Sequence, residues 1–328
     1  MKTLQISHAR AGLVVLVLLT ALANPAQGAD YRILKEIPIG GAGGYDYLTV
    51  DPAARRLYVS HGTKAVVVDL EKGAVVGEIA DTPGIHGIAL APELKRGFTS
   101  NGREAKVTMF DLDTLKTLSK IETGPNPDAI LYEPSQQEVY AFNGRGNSAS
   151  VIDAKSGKVV TTILLGGKPE SGVADSKAGR VYCNIENKSE IVEIDVKTHQ
   201  VLNHWPIAPG QEASGMAIDL DHHRLFIGCD NKLMEMIDYT TGKVVGSVPI
   251  GEGVDGNAFD PATQLAFSSN GGEGTLTIAH EDSPTKLTVV QTLKTQRGAR
   301  TIALDTKTHN VYLPVGSGEN FKVLVCGK

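Results

Sequence analysis

Seven copies of one short segment recur along the chain, and this repetition constrains the fold more than any other feature. The copies are RLYVSHG (56–62), RGFTSNG (96–102), EVYAFNG (138–144), RVYCNIE (180–186), RLFIGCD (224–230), LAFSSNG (265–271) and NVYLPVG (310–316). Their aromatic positions, Tyr58, Phe98, Tyr140, Tyr182, Phe226, Phe267 and Tyr312, stand 40, 42, 42, 44, 41 and 45 residues apart. Apolar residues come in short runs without helical periodicity, and such a period then suits a unit of four short strands, the blade of a propeller. Within each unit an opening stretch such as NPDAILYEP leads through a turn into the aromatic strand. A β-branched strand and a fourth strand follow. The third strands end in Asp69, Asp111, Asp153, Asp195 and Asp238, spaced 42, 42, 42 and 43 residues apart, and His280 and Cys326 are expected at the same place in the last two units. Turns such as KSGK (155–158) and TTGK (240–243) supply the positive-φ residue of a tight hairpin.

The seventh unit stops at FKVLVCGK, its third strand, so its fourth strand must come from elsewhere. The segment YRILKEIPIG (31–40) has the pattern of the fourth strands AVVGEIADTPG (74–84) and KVVGSVPIGEG (243–253). An N-terminal strand completing the last blade pairs both free sheet edges. The expectation is an all-β, seven-bladed β-propeller forming a single domain over residues 29–328.

Lys2 and Arg10, the apolar run 11–23 and the small residues of Ala26-Gln27-Gly28 read as a signal peptide over residues 1–28. The run is shorter than the roughly 18–20 residues of a membrane-spanning helix, and no comparable run follows, so no membrane span is expected after cleavage. A periplasmic or secreted monomer is the corresponding expectation. Without Lys2 and Arg10, 30 basic residues face 37 acidic ones, a net charge of −7 with neutral histidine. No cluster of Lys and Arg stands out, which argues against a nucleic-acid partner and for cations or neutral ligands. Cys183, Cys229 and Cys326 have neither zinc-site spacing nor the even number of a disulfide framework, and they read as buried thiols.

The aromatic-strand copies resemble the YVTN repeat of bacterial propellers, including the YncE-like periplasmic proteins, and the resemblance runs over essentially all of residues 30–328. It implies the fold. It leaves function open, because related propellers include lactone hydrolases, lyases, redox proteins and surface-layer proteins.

Sites emerge where the repeats differ. Twelve residues before each aromatic, at the start of the innermost strand, stand Asp46, His86, Asp128, Glu170, Ser214, Asp255 and Arg300. All are polar, and in a propeller these positions surround the central channel on one face. His61, Asn101, Asn143 and Asn270, three residues after their aromatics, open on the same face, with Arg103, Arg145, Glu186 and Asp230 in the adjoining loops. A divalent cation held by Asp46, His86, Asp128, Glu170 and Asp255 is one reading, with a small polar ligand above it. Glu170 would then serve as a base, Arg300 would steady an anion and His61 would assist, as in metal-assisted hydrolase or lyase chemistry. The plainer reading is that these side chains cap loop N–H groups and that the carboxylates pair with Arg300 or Lys168. Two further functional classes stand beside it: a non-catalytic envelope scaffold, which calls for exposed aromatics, and a redox protein, which no residue demands. GEGVDG (251–256) matches a dinucleotide fingerprint but precedes strand-like sequence, and no HExxH, GxSxG or CxxCH is present. His222 and His223 fall in a hairpin turn on the opposite face and read as solvated.

Overall fold

The computed structural model describes Met1 and residues 29–328, so the signal-peptide reading lies outside the described residues. The described chain forms seven antiparallel four-stranded sheets. Six are built from consecutive strands, blade 1 for instance from Leu48–Asp51, Arg56–His61, Lys64–Asp69 and Ala74–Ile79. The seventh takes Ala303–Asp305, Asn310–Val315 and Lys322–Gly327 from the C-terminal end and Arg32–Pro38 as its outer strand. The innermost strands of successive blades pack side by side, and that of blade 7 returns to blade 1, closing the ring. The fold is the expected seven-bladed propeller.

The repeat aromatics make the core. All seven are at most 3% exposed and pack between sheets with the alternating apolar residues of the second and third strands. The third-strand aspartates hold register by accepting backbone hydrogen bonds from the following turn. Asp69 Oδ1, for example, takes the N–H groups of Glu71 (3.0 Å) and Lys72 (2.9 Å). His280 lies opposite Leu265 as Asp238 lies opposite Arg224, so its expected register is found. Cys326 does not share that place. It pairs with Val311, the position that Ile237 holds opposite Leu225, and it is fully buried, so the glycine after it takes the turn position. A side chain there would collide with Asn310, since a Cβ on Gly327 would sit 2.0 Å from its Oδ1.

A second acid, at the end of the innermost strand in every blade but the second, which has Ala91 there, caps the turn into the aromatic strand. Asp51, Asp175, Asp219, Asp260 and Asp305 each accept the N–H two residues on through Oδ1. Several then use Oδ2 to tie their blade to the next one: Asp175 takes Tyr239 Oη (3.0 Å), Asp260 takes His309 Nδ1 (2.8 Å) and Asp305 takes Arg55 (2.7 Å). All three cysteines are buried free thiols.

Candidate functional site

Beta-bulges aim the ring residues at the axis. In five blades the pairing of the first two strands shifts register where the ring residue sits: between Ile85 and Ile88, Pro127 and Ile130, Pro169 and Gly172, Ala213 and Met216, and Val254 and Gly256. An extra residue on one strand breaks the alternation of faces and re-aims the side chain, which here turns His86, Asp128, Glu170, Ser214 and Asp255 inward. Hydroxyls fix the backbone at this level. Ser60 Oγ accepts the N–H of Asp46 (2.7 Å), Ser100 Oγ that of Gly87 (2.8 Å), and Thr301 Oγ1 donates to Asp46 O (2.7 Å).

All seven ring residues consequently line one cavity of about 400 Å³, together with Lys168, Glu186, Glu212, Asp230 and Val254. Seven carboxylates against Lys168 and Arg300 leave its potential negative. Asp46 Oδ2 lies 2.6 Å from His86 Nδ1, and Asp128 Oδ1 lies 3.5 Å from the same nitrogen. These three residues offer ligand-type atoms all within 4.8 Å of one another. Arg300 bridges Asp255 and Asp46, the latter at 3.3 Å, and donates to Tyr45 O (3.2 Å). Lys168 pairs with Glu186 and lies 3.1 Å from Glu170 Oε2, an oxygen that receives no aligned hydrogen bond. His86 packs closely over Gly102, where a Cβ would come within 2.7 Å of its Nε2.

Crowding of buried carboxylates raises their proton affinity. Burial, then repulsion from Asp128 and Asp255, pushes Glu170 up to about 8 against the pull of Lys168. Asp128 rises to about 6 through burial and the charges of Asp46 and Asp255, although His86 opposes the shift. Burial also carries Asp255 to about 6 despite Arg300. Burial disfavours a charge on His86, but the hydrogen bond to Asp46 and the charge of Asp128 outweigh it and leave its pKa raised.

Tyr47 spans the channel. It stands next to Asp46 in blade 1, where the other blades carry Gly87, Ala129, Ser171, Gly215, Gly256 and Thr301, and its hydroxyl reaches across the channel to Glu170 Oε1 in blade 4 at 3.4 Å. Burial first, then Glu170, keeps its phenol neutral far above the ordinary range. Tyr47 lines, with Thr49, Gly87 and Ile88, a second cavity of about 150 Å³ that shares Asp255 with the cup. Tyr47 was not among the expected site residues, although one bulky residue against six small ones marks its position in the sequence.

The structure leaves His61 outside the cup. Its ring is 1% exposed, stacks on Phe321 with centroids 4.3 Å apart, and has no hydrogen-bond partner on either nitrogen. Burial lowers its pKa, so it sits as a neutral core residue rather than at a reacting centre. Asn101 and Asn270 are fully buried and bonded within their own blades, to Thr108 (2.7 Å) and Thr277 (2.9 Å) respectively, and Asn143 is buried against Ser148 and Ser150. These asparagines therefore serve the repeat. Arg300 is spent on two carboxylates, whereas Arg103 and Arg145 have no acidic partner within 4 Å among the described residues. They border, with Asp46, His86 and Arg300, an adjoining cavity of about 330 Å³.

No family model and no curated protein matches the chain. Among solved structures the chain is similar to hydrazine synthase of Kuenenia stuttgartiensis, with a TM-score of 0.77 and 16% identity over 86% of this chain and 96% of that one. At that identity the likeness is one of architecture, and it places this chain among the β-propellers.

Proposed function

We infer that the cup binds a divalent cation between Asp46, His86 and Asp128 and a small anionic or polar molecule at the guanidinium rim beside it. The observation that carries this reading is the cluster of three ligand-type atoms within 4.8 Å in a cavity where acids outnumber bases. Two carboxylates and an imidazole suit zinc, manganese or iron better than calcium, which prefers oxygen alone. A bound cation there supplies Lewis acidity toward a ligand oxygen or a bound water. The chain's own residues divide the remaining tasks. Arg103 and Arg145 attract and orient an anionic group, and Arg300 keeps Asp46 and Asp255 in place. Glu170, with its proton affinity near neutrality, is suited to exchanging a proton with the ligand, and the Tyr47 hydroxyl orients it. Hydrolase or lyase chemistry is the reaction class that fits these parts. We also place the chain with the YVTN-repeat, YncE-like propellers and in the periplasm or outside the cell, on its repeat segments and leader-like residues 1–28.

A scaffold would present exposed aromatics. Among the described residues the exposed large hydrophobics are aliphatic side chains such as Val75, Val160 and Leu164, apart from Met1. Elemental analysis after dialysis against zinc or manganese tests the cation reading. The parent protein is expected to retain metal that His86→Ala and Asp128→Asn each lose, with affinity falling by at least roughly tenfold. Equal retention by parent and variants would remove the proposed site.

A further inference from the structure

The opposite face carries a second departure from the repeat. After the third-strand acid, blades 1 to 5 place Leu70, Leu112, Ala154, Val196 and Tyr239, all buried. Blade 6 places Glu281 there. Its backbone keeps the common register, since its N–H donates to Gln264 O (2.9 Å) as that of Leu70 donates to Arg55 O (3.0 Å). A carboxylate therefore stands in an apolar slot, 1% exposed, and neither of its oxygens finds a hydrogen-bond donor. An ionised group in such a place costs several kcal/mol unless something compensates it.

The neighbour across the blade interface does not compensate it. Tyr239 at the same position of blade 5 donates to Asp175 of blade 4. Glu281 instead meets Asp219 of blade 5, itself 2% exposed, so the tie between these blades sets acceptor against acceptor. Among the described residues no lysine or arginine pairs with either acid, and the neighbouring Arg224 is committed to Pro284 O (2.6 Å) and Asp238 (3.4 Å). The group that does reach both is His222, with Nδ1 2.6 Å from Asp219 Oδ2 and 3.5 Å from Glu281 Oε1. His222 is one-third exposed, which gives the cluster a path to solvent. Asp219 Oδ1 stays occupied with its turn, accepting from Asp221 N at 2.9 Å.

We propose that Asp219, His222 and Glu281 form a second divalent-cation site, independent of the cup, that pins blade 5 to blade 6. A first-row cation of the zinc or manganese type matches two carboxylates and one imidazole, and its two positive charges neutralise the two buried acids. Ligand bonds of about 2.0–2.2 Å require only that the His222–Asp219 contact open by less than an ångström or so. The role is structural, because a closed interface of this kind leaves little room for substrate.

The test uses a background in which the cup is disabled by His86→Gln with Asp128→Asn, dialysed against zinc and read by elemental analysis and by melting. This protein is expected to retain about one zinc and to melt higher with zinc than with chelator. Adding Glu281→Leu, the residue that blades 1 and 2 carry, is expected to abolish both effects while raising the melting temperature in chelator, because the uncompensated carboxylate is gone. Glu281→Gln checks the result with an isosteric group and is expected to weaken zinc binding by at least roughly tenfold. Zinc retention unchanged by Glu281→Leu, or no retention in the cup-disabled background, overturns the proposal and leaves a shared proton as the group between the two acids. Failure of the cup reading looks different, as metal retained by the parent would then respond to Glu281 and not to His86.

Discussion

Deleting residues 29–38 is expected to leave a chain without a cooperative melting transition and with a soluble yield reduced by more than roughly tenfold. The outer strand of blade 7 pairs along its length with the last strand, from Arg32 opposite Gly327 to Pro38 opposite Lys322. Only Ile37 within it is buried, and Tyr31 anchors the segment just before it. The Tyr31 hydroxyl donates to His309 O (2.8 Å), and its backbone exchanges two hydrogen bonds with the Gln291 amide in blade 6. Burying two such side chains contributes about 3–6 kcal/mol before the ladder is counted, which is comparable to the net stability of a domain. Removal also exposes an unpaired edge, inviting association. Ile37→Ala serves as the graded version and should cost about 2–5 kcal/mol, read as a melting temperature lowered by roughly 5–15 °C. Size-exclusion chromatography and calorimetry read both variants, and a deletion that melts within a few degrees of the parent would show the clasp to be dispensable.

Between pH 5 and pH 8.5 the metal-free protein should lose stability as the pH rises, opposite to the behaviour of a protein held by surface salt bridges. Glu170 releases its proton near the ordinary carboxylate value when unfolded but near 8 when folded. Across that window the folded state therefore holds a proton that the unfolded state has given up, and stability falls until the folded group also ionises. Asp128 and Asp255, raised to about 6, add to the fall below that pH. His86 acts in the same direction, because a raised histidine contributes stability at low pH that disappears as its folded form deprotonates. Glu170 alone represents on the order of 4 kcal/mol, or roughly 10 °C in melting temperature. The turn-capping aspartates Asp153, Asp238 and Asp305 have lowered pKa values and act at the acid end, where their contribution is lost as the pH drops below the ordinary range. Melting curves in chelator should show the slope in the parent and much less of it in Glu170→Gln. An equal slope in both would assign the effect elsewhere, and zinc or manganese added at pH 8 should reverse the loss.

Much of this molecule is written in its repeats. The seven aromatics, the turn acids and the borrowed outer strand each follow from local chemistry that recurs with a fixed period, so the ring could be assembled by counting. The ring of polar residues was also countable, but its convergence was not. That depends on bulges at Ile85–Ile88 and its equivalents, and a bulge is a backbone choice that the side-chain pattern leaves ambiguous. His61 shows the converse limit. It replaces a repeat asparagine, which marks it as different, yet it is Phe321, brought in from the far end of the chain, that packs it away. Glu281 is hard to read for a simpler reason. It directly follows His280 at the third-strand acid position, where an acid reads as part of a solvated turn, yet its place is the buried slot that Leu70 and Leu112 fill in blades 1 and 2.

Tyr47 spans the channel from blade 1 to Glu170 of blade 4. A through-channel would let ion and ligand exchange from opposite faces, independently of one another. With the phenol laid across the axis toward Glu170, the proposed ion and ligand would share the opening on the cup's own side, and whichever lay deeper would arrive first and depart last. An ion beside Asp46 and His86 would then be trapped for as long as a ligand rests on Arg103 and Arg145, so the ligand's residence time would set the ion's rate of escape. On the proposed reading, the order of assembly in the cup would thus depend on one side chain that contributes no charge.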